Sequence, residues 1–199
     1  MPSSIPGLST KLTPIYPSSS SAPQGDEEEE ESPTTQSLIS SLHLQKHIEG
    51  GYFAELDRNP LLIPNPFLQP NSGDAQGKDE AQPMGKFHRN KGRTVHTLIS
   101  GRGRYVLIHA DEPGAQKRVE SFVVGMDFAA GERSVWVVEG GKYKASFLEE
   151  GAEGERLLIS ETVIPGFEYS DHDFLTLEGF RKIVTPEQAE ELEWLVRKS

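Results

Sequence analysis

The chain has no cysteine. That excludes a disulfide framework, a thiolate zinc site and a cysteine nucleophile. Hydrophobic residues are also scarce: they make up 35% of the 199 positions, against roughly 45–50% in globular domains on a count that includes Gly. The apolar runs are too short for a transmembrane helix, so no membrane partner is expected. Basic charge is outweighed, with 20 Lys+Arg against 31 Asp+Glu and a net charge of −11. Neutralising phosphates needs a basic surface, so nucleic acid is not an expected partner either. The start MPSSIPGLSTK has no apolar signal core, and a cytoplasmic location is expected.

What the chain does have is turn-forming residues, with 19 Gly and 14 Pro. Residues 1–35 stand apart. They hold six prolines, the serine run Ser18–Ser21 and the acidic run Asp26–Glu31. Little apolar surface is available there to offset the entropy of ordering, so the segment is expected to be a disordered tail. Residues 36–199 form the expected domain. Leu38, Ile39 and Leu42 fall at helical spacing within 35–44, and HIEGGYFAEL turns at Gly50–Gly51 into a strand. Residues 58–86 read as an irregular loop. From 94 to 165, TVHTLIS, RYVLIHA, RVESFVVG, SVWVVE, YKASFLEE and RLLISETVI are short strands separated by Gly-bearing turns. Such spacing indicates an all-β antiparallel sandwich or barrel. The sequence TPEQAEELEWLV signals a closing helix, with Thr185 as N-cap, Pro186 at the first helical position and Gln188 completing a capping box.

The segments HIEGGYFAEL, GKFHRNKGRTVHTLISGRGRYVLIHADEP, VVGMDFAAGERSVWVVEGGKYKAS and ETVIPGFEYSDHDFLTL occur in this order. Together they resemble cupin family 5, a family of RmlC-like cupins catalogued as a domain of unknown function. The resemblance spans roughly residues 36–197. It implies a double-stranded β-helix, that is, a jelly-roll barrel with a ligand pocket at its mouth, and a homodimer. It also exposes a departure. Relatives usually carry an apolar strand of the kind S-T-x-I-Y-Y-L-L before the FHR segment, and here Gly77–Pro83 stands in its place. Either another segment, such as LLIPNPFL, fills the gap, or the strand is lost through deletion or a faulty gene model.

Cupins in general hold a metal on the patterns H-x-H-x(3–4)-E-x(6)-G and P-x-G-x(2)-H. Alternate strand residues share a face, which is how His-x-His places two imidazoles inside a barrel. Laid on these patterns, Lys86 takes the first histidine position, His88 the second, Thr94 the glutamate and Lys144 the last ligand, with Gly101 closing the first motif. One imidazole beside two ammonium groups does not make a metal site, so neither a metal nor another cofactor is expected.

The expected activity is metal-independent binding of a small molecule in the barrel. Lys86, His88 and Lys144 would make the lumen electropositive and favour an anionic ligand. The resemblance adds Glu49 and Tyr52 beside the pocket and Tyr143 at its rim. His96, Tyr105 and Trp136 are further candidates from the strands, with core packing the competing role. An alternative is an epimerase or isomerase in which His88 is the general base and Tyr143 or Tyr105 the acid, provided Glu49 supplies the carboxylate that orients His88. A third reading is a structural or degenerate cupin. Arg89 alternates outward from His88. Asp171-His172-Asp173 reads as surface, since neighbouring residues rarely converge on one ion.

Overall fold

A computed structural model describes residues 2–14, 31–67, 84–149 and 156–197. In chain order its elements are α1 (Pro33–Ser41), β1 (Gln45–Lys46), β2 (Tyr52–Phe53), β3 (Met84–Asn90), β4 (Arg93–Gly101), β5 (Gly103–Ile108), β6 (Val119–Val124), β7 (Val135–Val138), β8 (Tyr143–Phe147), β9 (Leu157–Ile164), β10 (His172–Phe174), α2 (Leu177–Ile183) and α3 (Pro186–Leu192). One sheet runs β10-β3-β8-β5-β6, a second β7-β4-β9, and β1 pairs with β2 in a small hairpin. The pairings within these sheets are antiparallel, as a jelly roll requires. No described helix is long and apolar enough to cross a membrane.

Strand alternation sends each sheet's residues into two different interiors. Tyr105 and Leu107 of β5, Phe122 and Val124 of β6, Trp136 and Val138 of β7 and Leu98 of β4 meet between the two larger sheets. Val106 and Ile108, one residue over on β5, face the other way. They join Phe87, Tyr143, Ala145 and Phe147 beneath Phe180, Leu192 and Leu195 of the C-terminal helical region. The five-stranded sheet is therefore covered on both faces. The turn between β4 and β5 needs Gly101: its φ is +86°, and a Cβ there would lie 2.0 Å from the Arg156 carbonyl oxygen.

The expected capping box is present on α3, with Thr185 and Gln188 exchanging hydrogen bonds. The closing helix lies on the outer face of the five-stranded sheet, and the short helix α2, N-capped by Thr176, joins it there. Near the N-terminus α1 begins at Pro33, capped by Ser32, and buries no residue.

Two expectations need correction. Disorder throughout residues 1–35 fails for residues 2–14: Ile5 and Leu12 are buried in the outer core, and Glu191 accepts hydrogen bonds from Ser3 Oγ, Ser4 N, Ser4 Oγ and Leu12 N. Ile5, Leu12 and the partly buried Leu8, with one buried carboxylate, supply what the Pro- and Ser-rich composition concealed. The serine run and most of the acidic run lie outside the described residues. The irregular loop assigned to 58–86 also ends early, because β3 starts at Met84. LLIPNPFL does not replace the missing strand, since its described part forms none and Leu61, Leu62 and Ile63 are exposed. Gly77–Pro83 lies outside the described residues.

Candidate functional site

The site begins at an irregularity in β3. Its pairing with β8 shifts register between Gly85 and His88, and the shift turns Lys86 to donate its backbone N–H to the Glu49 carbonyl at 2.9 Å. That bond docks the β1–β2 hairpin onto β3. The hairpin turn uses Gly50 and Gly51, with φ of +105° and +69°, a region closed to most side chains. Glu49 is thereby carried beside His88.

Its carboxylate meets three imidazoles. Oε1 lies 2.7 Å from His172 Nε2, Oε2 lies 3.2 Å from His88 Nε2, and His47 Nδ1 is 3.6 Å away. His172 arrives from β10, where it pairs with Asn90 of β3, and its ring stacks 5.4 Å from that of His88. Burial opposes ionisation of Glu49, but the attraction of His88, His172 and Lys144 outweighs it and holds the carboxyl at about 2. Burial, reinforced by Lys144 and His172, outweighs Glu49 and holds His88 down at about 4.

A second polar group lies on the same inner face. Lys144 pairs with His88 across β8 and β3. Its buried ammonium donates to the Glu161 carboxylate and lies 3.2 Å from His96 Nε2. Burial opposes ionisation of Glu161, yet Lys144 and His96 hold its pKa well below the ordinary range. His96 stacks on Trp136 at 4.9 Å and 4°, and meets Tyr105 edge-on at 5.5 Å. Thr94, His96 and Leu98 are thus the inward face of β4.

The structure places Glu49, His88, His96, Tyr105, Trp136 and Lys144 in the interior between the sheets and moves two candidates out of it. Lys86 leaves at the register shift and donates its Nζ to the Trp194 carbonyl, on the helical side. Tyr143 belongs to the outer core, with the Arg89 guanidinium 4.7 Å from its ring centroid. It cannot act as the acid opposite His88. Tyr52 lies on β2 opposite Lys46. Arg89 does point outward, to Asp173. With Lys86 gone and Lys144 paired, the expected electropositive lumen does not hold: Glu49 and Glu161 against Lys144 leave one net negative charge.

Sequence reasoning missed Glu161, His47 and His172. His172 was assigned to the surface with its neighbours, but 172–174 is a strand, so His172 and Phe174 face inward while Asp173 faces solvent. Reading D-H-D-F as an alternating strand, with His172 and Phe174 on one face, would have found it. The general cupin metal pattern is not met, because Lys86, Thr94 and Lys144 occupy three of its ligand positions.

An antiparallel jelly roll with a polar centre between its sheets is an architecture that cupins share. The chain belongs to the cupin superfamily family DUF985, whose sequence profile matches residues 36–175. The uncharacterized protein YML079W of Saccharomyces cerevisiae is 42% identical over 176 residues, covering 80% of this chain and 85% of that protein. Among solved structures, protein SO0799 from Shewanella oneidensis aligns with a TM-score of 0.63 at 20% identity, over 82% of this chain and 98% of that one. A hypothetical protein from Leishmania major aligns with a TM-score of 0.61 at 18% identity, again over 82% and 98%. At those identities the two structures speak for the fold alone.

Proposed function

We propose that this cupin binds a small polar molecule between its two larger sheets, against Glu49, His88, His172 and the Lys144–Glu161–His96 group. One observation carries the reading: the fold buries ionisable side chains on this inner face. The outer face of the same sheet is closed by hydrocarbon. Desolvating charged groups costs several kcal/mol per ion, repaid only by full pairing. Here pairing is incomplete, since Trp136 Nε1 and the Nε2 atoms of His88 and His172 are buried with no aligned hydrogen-bond partner among the described residues. A ligand with both donors and acceptors would complete them.

Proton transfer by His88 is less well supported. Its Nδ1 is oriented by the Lys86 carbonyl, which places Glu49 on the other nitrogen, where a substrate proton would have to sit. Association into a homodimer is supported by the exposed Val135, Val137 and Ile99 on the outer face of the β7-β4-β9 sheet.

Native mass spectrometry of the full chain, set against its denatured mass, tests both points. A dimer carrying an organic adduct that is lost in Trp136→Phe and Lys144→Met variants is expected. An adduct-free protein that no member of a metabolite set stabilises against heat would overturn the binding reading, and a monomer at micromolar concentration would overturn the dimer.

A further inference from the structure

We infer that Glu49, His88 and His172 hold a divalent transition-metal cation, with open coordination positions toward the inter-sheet space. This goes beyond the binding proposal and does not depend on it, because a cation can be bound whether or not an organic ligand follows. The site is also not the general cupin one. It shares only His88 with that pattern and draws Glu49 from the β1–β2 hairpin and His172 from β10.

The donors converge closely enough to share one ion after small shifts. The three ligand atoms lie within 4.8 Å of one another, and the carboxylate oxygens are 2.7 and 3.2 Å from the two imidazole nitrogens. Ligands about 2.1 Å from a common ion, at tetrahedral or octahedral angles, are themselves about 3.0–3.4 Å apart.

The orientation of the His88 ring points the same way. A carbonyl oxygen can only accept, so the 2.7 Å contact between His88 Nδ1 and the Lys86 carbonyl puts a proton on Nδ1 and turns Nε2 toward the Glu49 carboxylate, 3.2 Å away. Neither His88 Nε2 nor His172 Nε2 has an aligned hydrogen-bond partner among the described residues, and both side chains are more than nine-tenths buried. A metal-binding histidine commonly donates its other N–H to a backbone carbonyl, which fixes the tautomer; Lys86 supplies that carbonyl here.

Charge does not oppose the assignment. The nearby Lys144 ammonium is matched by Glu161, and a dication would turn the net −1 of the interior into +1. Two imidazoles and one carboxylate suit zinc, ferrous iron, cobalt or nickel rather than calcium or magnesium, which take oxygen ligands. Three protein ligands leave positions for water or for an anionic group of a bound molecule.

The test uses full-length protein stripped by a chelator and then titrated with Co2+ or Zn2+. One equivalent of Co2+ per chain should bind with a visible d–d absorption band, and Zn2+ should displace it and raise the melting temperature. The near-isosteric Glu49→Gln and the His172→Ala variants should each weaken Zn2+ affinity by at least 10-fold. His109→Ala, which removes a buried histidine remote from the cluster, should leave it unchanged. Failure of stoichiometric binding at micromolar metal, or undiminished affinity in Glu49→Gln with its fold verified by circular dichroism, overturns the assignment. Metal binding without an organic adduct would instead defeat the binding proposal alone.

Discussion

The five-stranded sheet has two buried faces built on opposite rules. Outside, Phe87, Val106, Ile108, Ala145 and Phe147 close against the C-terminal helices, and the one buried carboxylate there, Glu191, accepts four hydrogen bonds. Inside, His88 and Lys144 come from the same strands β3 and β8, His96 reaches in from the facing sheet, and buried nitrogens lack aligned partners. The same backbone ladder supports both. The outer face therefore shows what this sheet needs in order to be stable, and the inner face shows what it carries in addition.

That contrast can be broken from either side. The largest effect is expected outside, at Phe180, which is fully buried and stacks 5.7 Å from Phe87. Phe180→Ala should cost about 3–5 kcal/mol through lost transfer energy and the cavity left behind. Urea unfolding measures that loss, and Zn2+ affinity of the still-folded protein should be unchanged; a parallel fall in affinity would mean that the two faces are not separable.

Inside, a smaller effect is expected at Lys144. Lys144→Met strands Glu161, and because that carboxylate is one-third exposed the cost should fall below the 3–5 kcal/mol of a fully buried broken pair, at about 2 kcal/mol. Changing both partners, Lys144→Met with Glu161→Leu, should restore most of it. If the double variant is no more stable than the single one, the pair is not the reason Lys144 is tolerated there.

The smallest effect is one of pH. Burial, with Lys144 adding to it, outweighs Glu161 and lowers the pKa of His96. Below about pH 6.5 the unfolded chain takes up a proton at this position that the folded chain refuses, so stability falls as pH falls. His96→Asn should flatten the decline in the urea midpoint between pH 7 and pH 5. An unchanged slope would assign the decline to other groups.

Much of the fold was legible because it rests on period and punctuation. The β6, β7, β8 and β9 strands and the capped α3 helix all announce themselves by alternation or by Thr-Pro-x-Gln. The site was legible only in part. His88 and Lys144 were found through the cupin pattern laid on the sequence, but the same pattern misplaces Lys86, because the register shift beside it is tertiary: its N–H donates to Glu49 rather than to β8. His172 was hidden by its acidic neighbours and Glu161 by an otherwise ordinary strand. No local pattern reveals that a glutamate and two histidines, far apart in sequence, share one point. The docking of residues 2–14 was hidden by composition, since Ile5, Leu8 and Leu12 are only three residues in a polar stretch.

Those first residues can also be regarded as a ligand the chain carries for itself. Ser3, Ser4 and Leu12 bind Glu191 much as a peptide binds a receptor, but the chain joining them to the domain sets an effective concentration, on the order of millimolar for a short tether. Contacts too weak to hold a free peptide are then enough. Proteolysis between residues 14 and 31 would break that arithmetic without touching a contact: the segment would become an ordinary solute, lost on dilution, and Glu191 would exchange the donors of Ser3, Ser4 and Leu12 for water.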